Sequence, residues 1–427
     1  MAARNLEQWL SYLEQLHPSE IDMGLARVQD VAQRLGLPRI ANKIVTVTGT
    51  NGKGSTCAFL ASLVAAQGLS VGVYSSPHLL RYNERVRING QESTDQQLCE
   101  AFSAVEQARA DTSLTYFEMG TLAAFWLFAQ AQLDVVILEV GLGGRLDAVN
   151  IVDADVAVVT NIGLDHNDWL GDTRDSVAYE KAGIFRSGLP AVCGDLDPPE
   201  RLLTQAARLT TPLVLRGRDF DLAVSQKSWH LRGLDQHGQP IQLQGIPLLD
   251  LPVENAALAL QVYALLGLAW QPETLIKGLC AAQMQGRLQK VQLKWQGRTL
   301  HLLLDVAHNP HAASYLAGRL QAQPPQGRRL AVFGVLEDKD VSGLLDCMQA
   351  HISTWAVAPL PTPRSCQATY LHQTLQQRGA QVERYQNIAQ AIEAQCAAAT
   401  AEDQIIIFGS FFTVAEALKW LASQTVV

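Results

Sequence analysis

The eight residues Gly49-Thr50-Asn51-Gly52-Lys53-Gly54-Ser55-Thr56 constrain this chain more than any other stretch. They follow Lys43-Ile44-Val45-Thr46-Val47-Thr48, a short β-branched run that reads as a buried parallel strand. They lead into Ser55 to Gln67, which reads as a helix. A Gly-rich turn between strand and helix is the context of a phosphate loop. Glycines let backbone N–H groups point inward, the helix N-terminus adds partial positive charge, and Lys53 adds a full one. Ser55 or Thr56 can then face a nucleotide or its Mg2+. The spacing departs from GxxxxGK[ST], because Gly54 separates the lysine from the hydroxyls. The bland alternative is a Gly-rich turn with a surface lysine, and the strand-to-helix context weighs against it.

The same alternation continues on both sides. Residues 5–37 read as helices around the loop His17-Pro18-Ser19-Glu20-Ile21-Asp22-Met23-Gly24. Strands are expected at Ser70–Tyr74, Asp134–Val140 and Val156–Thr160, with a helix over Phe117–Gln132. This pattern predicts an α/β fold, a doubly wound and mostly parallel sheet whose ligands sit outside the carboxyl ends of the strands. Residues 213–250 change to alternating character and predict a small antiparallel patch. Helices return at 253–267 and 272–283. A hairpin at 291–304 then opens a second βα series with strands near 330–334, 355–358, 381–385 and 405–409. Two domains are expected: 1–287, binding nucleotide, and 288–427, smaller and Rossmann-like.

Composition narrows the function. Lys and Arg number 33 against 41 Asp and Glu, a net charge of −8, with no basic run. Nucleic-acid affinity rests on neutralising phosphates, so no nucleic-acid partner is expected. No polybasic or amphipathic anchor favours a membrane. The seven cysteines are scattered and never spaced CxxC, which argues against a zinc site or a disulfide framework and for a reduced cytoplasm. Met1 to Leu10 carries Arg4 and Glu7 and no apolar core, so no signal peptide is expected.

Further candidates lie at strand ends. Ser75-Ser76-Pro77-His78 follows one strand, Glu139 ends another, and Asp165-His166 follows a third. A hydroxyl, a carboxylate and an imidazole converging beside the loop would suit Mg2+, with His166 the least usual ligand. Taken singly, they read as a capping serine, a salt-bridged glutamate and a structural histidine. Gly141-Leu142-Gly143-Gly144 does not complete GxGxxG. In the second domain Asp305-Val306-Ala307-His308-Asn309-Pro310 follows an apolar strand and could orient a nucleotide or polarise an amine, or be a turn held by Asp and Asn. Phe408-Gly409-Ser410 opens a helix and makes a fair anion site.

GTNGKGST, YSSPHL, LEVGLGGRLDAVNIVDADVAVVTNIGLDHNDWLG, EKAGIFR, DVAHNP and FGSFFTV occur in this order, together with YLEQLHPSEIDMGLARV near the start. Over essentially its whole length the chain resembles the folylpolyglutamate synthase family, and within it the bacterial bifunctional type. The resemblance implies an ATP-dependent amide ligase of the Mur-ligase type in folate biosynthesis and one-carbon metabolism. It would join L-glutamate to dihydropteroate and to the γ-carboxylate of reduced folates through an acyl phosphate, as a cytoplasmic monomer. A closing two-domain cleft would keep water out, with its hinge near Arg287.

The resemblance also assigns residues. It makes Gly49 to Thr56, Asn255, Arg287 and Asp305 ATP-binding, and Ser76, Glu139 and His166 the metal ligands for Mg2+. It makes Lys181, otherwise an ordinary solvated helix lysine, a carbamylated one that supports the metal. Thr115, Phe117, Asp147 and Ala148 fall on the pterin side, where Phe117 can stack on a flat ring. His308 and Ser410 would face glutamate. Lys53, Lys181, Asp305 and His308 form the expected catalytic group, and a monovalent cation has a place beside it. Rival expectations are a monofunctional folylpolyglutamate synthase, a Mur cell-wall ligase, and a nucleotide-gated binding protein without ligase chemistry. Against the cell-wall ligase, only 48 residues precede Gly49 and they read as helices.

Overall fold

The computed structural model describes residues 4–19 and 21–424. Glu20 of the N-terminal loop, and Met1 to Ala3 of the segment read as lacking a signal peptide, lie outside the described residues. The chain divides into two compact units, Met1–Gln283 and Met284–Val427.

The first unit is built on an eight-stranded sheet. Its strands are β1 (Ala41–Thr48), β2 (Val71–Tyr74), β3 (Val86–Ile88), β4 (Gln91–Glu92), β5 (Leu133–Glu139), β6 (Val156–Val159), β7 (Ala191–Cys193) and β8 (Leu213–Leu215). They lie in the order β4-β3-β2-β5-β1-β6-β7-β8. The six from β2 to β8 run parallel, while β3 pairs antiparallel to β2 and to β4. β1 sits centrally, and Val45 and Val47 are fully buried, as expected for a strand covered on both faces. Burying each such side chain contributes about 1.5–3 kcal/mol. Helices Tyr116–Ala131 and Asp95–Arg109 cover one face through Phe102, Phe125 and Phe128. Helices Lys53–Ala66 and Val253–Leu265 pack against each other.

A separate antiparallel sheet joins β9 (Asp221–Val224), β10 (Ser228–Leu234) and β11 (Pro240–Pro247). The expected patch over 213–250 therefore starts later than the alternation suggested. Its first segment, β8, pairs parallel with β7 in the main sheet. Three residues are too few for a periodicity to distinguish the two sheets. The short strands β3 and β4, at one side of the sheet, carried no sequence expectation for the same reason.

In the second unit six strands are ordered β12-β13-β17-β14-β15-β16. They are β12 (Gln289–Trp295), β13 (Arg298–Asp305), β14 (Arg329–Phe333), β15 (Thr354–Val357), β16 (Gln381–Arg384) and β17 (Gln404–Phe408). The β12–β13 hairpin is antiparallel and the remaining pairs are parallel. Phe333, Trp355 and Phe408 meet in its core, with Phe333 and Phe408 ring centroids 4.9 Å apart. No helix of the described residues is long and apolar enough to cross a membrane.

Candidate active site

The Gly-rich turn follows β1 directly, and its helix begins at Lys53, with Gly52 in the left-handed region at φ 85°. A β-carbon on Gly49, where φ is 150°, would lie 1.7 Å from Thr160 Oγ1. One on Gly52 would lie 2.8 Å from Asn255 Oδ1. Both positions therefore need glycine for backbone conformation and for space. Three contacts fix the turn from outside. Thr160 Oγ1 donates to the Asn51 carbonyl at 2.6 Å, Asn51 N–H donates to Asn161 Oδ1 at 2.9 Å, and Asn255 Nδ2 donates to Ser55 Oγ at 2.7 Å. Sequence reasoning missed Thr160 and Asn161. Their one signal was position, directly after the strand beside β1. Lys53 Nζ donates to the Gly49 carbonyl at 2.9 Å, so its ammonium sits at the mouth of the turn. Of the two hydroxyls, Ser55 is tied to Asn255, while the Thr56 Oγ1 is buried without a partner among the described residues.

Lys53 and Lys181 line one cleft with Thr48, Gly49, Thr50, Gly141, Gly143, Asp165 and His166. Helix Arg174–Ala182 carries Lys181 and is capped by Thr173, whose Oγ1 accepts from Ser176 N–H. Arg145 holds that helix twice: its N–H donates to the Glu180 carbonyl at 2.8 Å and its guanidinium pairs with the Glu180 carboxylate at 2.9 Å. Lys181 is therefore buried, only 3% exposed, and is not the solvated lysine its sequence context suggests. Burial, then the Lys53 charge, lower its amine to about 7, with Asp165 opposing. His166 caps the short helix Asn167–Leu170 at φ 54°, a left-handed conformation that histidine tolerates better than most residues. Its ring is exposed at the cleft.

Ser76 follows β2 and Glu139 ends β5, neighbouring parallel strands. The Ser76 N–H lies 3.4 Å from Glu139 Oε2, and the Ser76–Pro77 peptide is cis. A hydroxyl and a carboxylate side by side are hard oxygen donors. They fit an ion such as Mg2+ that completes its shell with phosphate oxygens and water. Among the described residues no group of three His, Cys, Asp or Glu side chains is placed to hold a metal. A site built on these residues would therefore be open, with part of its shell from substrate.

Two of the four pterin-side candidates, Phe117 and Asp147, flank Gly141. A β-carbon there would lie 2.8 Å from the Phe117 ring and 3.4 Å from Asp147 Oδ2. Thr115 caps its helix, accepting from Glu118 N–H while its own N–H donates to Glu118 Oε2 at 2.7 Å. Arg27 binds the same Glu118 at 3.0 Å and also pairs with Asp22, which ties the N-terminal loop to this helix start. Asp147 accepts from Leu142 N–H at 2.9 Å and Val149 N–H at 3.0 Å. Burial nevertheless raises its carboxyl to about 6. Ala148 is buried and packs inward.

In the second unit Asp305, the last residue of β13, accepts from Leu288 and Ala307 N–H at 2.9 and 2.8 Å. Burial raises its carboxyl, and the Arg287 charge opposes the rise. His308 Nδ1 lies 2.9 Å from the Val306 carbonyl, an acceptor only, so Nδ1 carries hydrogen. The Phe411 ring joins the set, 5.9 Å from the His308 ring and 5.5 Å from the Arg287 guanidinium. Ser410 is buried and caps the following helix through Thr413 N–H at 3.0 Å. Arg287, Asp305, His308 and Ser410 thus belong to one neighbourhood of that unit.

A phosphate-loop unit joined to a Rossmann-like unit defines the Mur-ligase class. The Mur ligase middle domain matches residues 47–198, and the Mur ligase glutamate ligase domain matches residues 286–411. The dihydrofolate synthase/folylpolyglutamate synthase of Escherichia coli K12 is 49% identical over 98% of this chain and 96% of its own. That of Haemophilus influenzae is 39% identical over 97% of both. Escherichia coli FolC in complex with DHPP and ADP superposes with a TM-score of 0.92 at 48% identity, covering 99% of each chain. The Yersinia pestis bifunctional enzyme complexed with AMPPNP and Mn superposes at 0.91, with 47% identity and 99% of each chain. The chain belongs to the dihydrofolate synthase/folylpolyglutamate synthase family.

Proposed function

We propose that the protein joins L-glutamate to dihydropteroate and to the γ-carboxylate of reduced folates, using ATP, as a cytoplasmic monomer. The observation that carries this reading is the single cleft in which the phosphate-loop Lys53 meets the buried Lys181 and His166, at the strand ends that also present Ser76 and Glu139. A carboxylate is a poor electrophile because its leaving group would be oxide. Attack of a carboxylate oxygen on the γ-phosphorus breaks the bond to the β-phosphate oxygen, releases ADP and gives an acyl phosphate. The glutamate amine then attacks the acyl carbon, the carbon–oxygen bond breaks, and phosphate leaves.

Inward N–H groups of residues 49–56 and the Lys53 ammonium are assigned to the phosphates, where they offset charge as two anions approach. Ser76, Glu139 and His166 are assigned to Mg2+, which would spread the γ-phosphate charge when bound. An amine near 7 is substantially unprotonated at neutral pH and so able to take up carbon dioxide, which supports a carbamylated Lys181 as an anion beside that site. A monovalent cation could share it. Phe117, with Thr115, Asp147 and Ala148, is assigned to the pterin. Asn255, Arg287 and Asp305 are assigned to the nucleotide, and His308 and Ser410 to glutamate. ATP and pterin binding are assigned to a domain spanning 1–287 and glutamate ligation to one spanning 288–427, while the compact units divide four residues earlier, after Gln283.

The test is a coupled phosphate-release assay. Release should need ATP, Mg2+, glutamate and a pterin acid together. Acceptance of tetrahydrofolates with dihydropteroate refused would reduce the protein to a monofunctional folylpolyglutamate synthase.

A further inference from the structure

One ion pair clamps both backbone groups of a single residue beside the phosphate turn. The Ile162 N–H donates to Asp195 Oδ2 at 2.8 Å, and the Ile162 carbonyl accepts from Arg174 Nε at 2.9 Å. The Arg174 guanidinium pairs with that same Asp195 oxygen at 3.1 Å. It also donates to the Asp197 carbonyl at 2.8 Å and to the Asp197 carboxylate at 3.1 Å. Ile162 is buried and the Asp195 side chain is only 12% exposed, whereas that of Asp197 is 93% exposed. An exposed ion pair contributes little. A largely buried carboxylate that accepts from a backbone N–H and a guanidinium is a stronger tie, because its loss strands both donors.

Ile162 lies between two residues that hold the phosphate turn. The Asn161 carbonyl accepts from Thr50 N–H at 3.1 Å, and its side chain accepts from Asn51 N–H. Gly163 N–H donates to Thr50 Oγ1 at 2.9 Å, and the same hydroxyl donates to the Gly163 carbonyl at 3.0 Å. Downstream the segment reaches Asp165 and His166 at the cleft. Arg174 also opens the helix that delivers Lys181, about two turns further on. Asp195 follows β7, the strand beside β6, and Gly194 N–H donates to the Val159 carbonyl at 2.9 Å. Segments 160–166, 174–182 and 194–197 therefore share one joint beside the phosphate turn.

We infer that Arg174 and Asp195 are positioning residues for nucleotide binding: they hold 161–163 against the phosphate turn, so that the turn keeps its binding shape before ATP arrives. The inference rests on the nucleotide reading of that turn. Neither residue lines the cleft of Lys53 and Lys181, so both act through Asn161 and Gly163. A loop ordered in advance binds more tightly, because the ligand does not bear the cost of ordering it. The acceptor acid is assigned to other elements, so its binding does not depend on this joint.

The experiment is calorimetry with a non-hydrolysable ATP analogue, with and without Mg2+, on wild type, Asp195→Asn, Arg174→Gln, the double variant and Asp197→Ala. Asp195→Asn and Arg174→Gln should each weaken binding about 5- to 20-fold. The double variant should lose less than the product of the two losses, since the pair acts as one joint. Asp197→Ala, which removes only the exposed arm, should stay within about twofold of wild type. In steady state KM for ATP should rise with the Kd while KM for dihydropteroate stays within about twofold. A role in folding alone lowers the active fraction and leaves both KM values unmoved, which overturns the inference. Unchanged affinity in both single variants, or losses that simply multiply in the double variant, also overturn it. If Asp195→Asn melts early, hydrogen exchange on wild type decides. The analogue should slow exchange in 49–56, 160–166 and 194–197 together, and protection confined to 49–56 overturns the inference. A wild type that binds no analogue overturns the nucleotide reading itself, a result distinct from equal affinity across the variants.

Discussion

Asn255 Nδ2 donates to Ser55 Oγ at 2.7 Å, so a helix starting at Val253 locks the first turn of the helix after the phosphate loop. The same amide fills the space beside Gly52. Asn255→Ala removes about 1 kcal/mol of hydrogen bonding and frees the Ser55 hydroxyl. ATP affinity should fall about fivefold, read by calorimetry with a non-hydrolysable analogue. An unchanged Kd would detach Asn255 from the nucleotide.

Gly49→Ala should be worse. Its β-carbon would strike Thr160 Oγ1, the hydroxyl that anchors the Asn51 carbonyl, at a φ that only glycine adopts readily. Strain on the order of 1–3 kcal/mol falls on the loop itself. Nucleotide binding should drop by about tenfold or more while circular dichroism stays native. Thr160→Gly made in the same chain should recover part of the binding, and failure to do so would mean that φ rather than the clash decides.

Lys53→Ala should abolish glutamate-dependent phosphate release with little change in Tm. The ammonium is bonded only to carbonyls of its own turn among the described residues, so its loss leaves no buried partner charged and unpaired. Near-normal turnover would remove the turn from phosphate binding.

Glu139→Gln keeps the shape of a side chain that is 5% exposed and removes its charge. The Mg2+ concentration for half-maximal rate should rise by at least about tenfold, because one anionic oxygen is lost from a shell with few protein donors. A superimposable Mg2+ titration would take Glu139 out of that shell.

Burial and the Lys53 charge hold the Lys181 amine at about 7, against 10.5 for an ordinary lysine. Between these values the unfolded chain binds more protons than the folded one, so this group adds stability as pH rises through the window. Lys181→Met has no such proton. In bicarbonate-free buffer it should be more stable than wild type at pH 6, with the gap narrowing toward pH 10. Melts at several pH values measure this, and a gap independent of pH would mean the amine titrates as an exposed one. With 13C-bicarbonate, wild type should show a carbamate resonance that Lys181→Met lacks.

Much of the arrangement was written locally. β1, the Gly-rich turn and the helix after it are adjacent in sequence, and their signals are side-chain branching, glycine and period. The β12–β13 hairpin and the parallel strands of the second unit were readable for the same reason. Ser76 and Glu139 could be placed near each other because parallel strands bring their carboxyl ends to one edge. Segments of two or three residues, β3, β4, β7 and β8, were too short to carry a period.

The sequence by itself determined the kinds of element, the α/β class and the Gly-rich turn between strand and helix, since each depends on neighbours within a few residues. Only the tertiary structure decided that Lys181 is buried, that Asn255 reaches Ser55, and that Thr160 and Asn161 brace the turn. Burial, pairing and charge compensation depend on groups tens to hundreds of residues apart, and packing brings those groups together where no local pattern can.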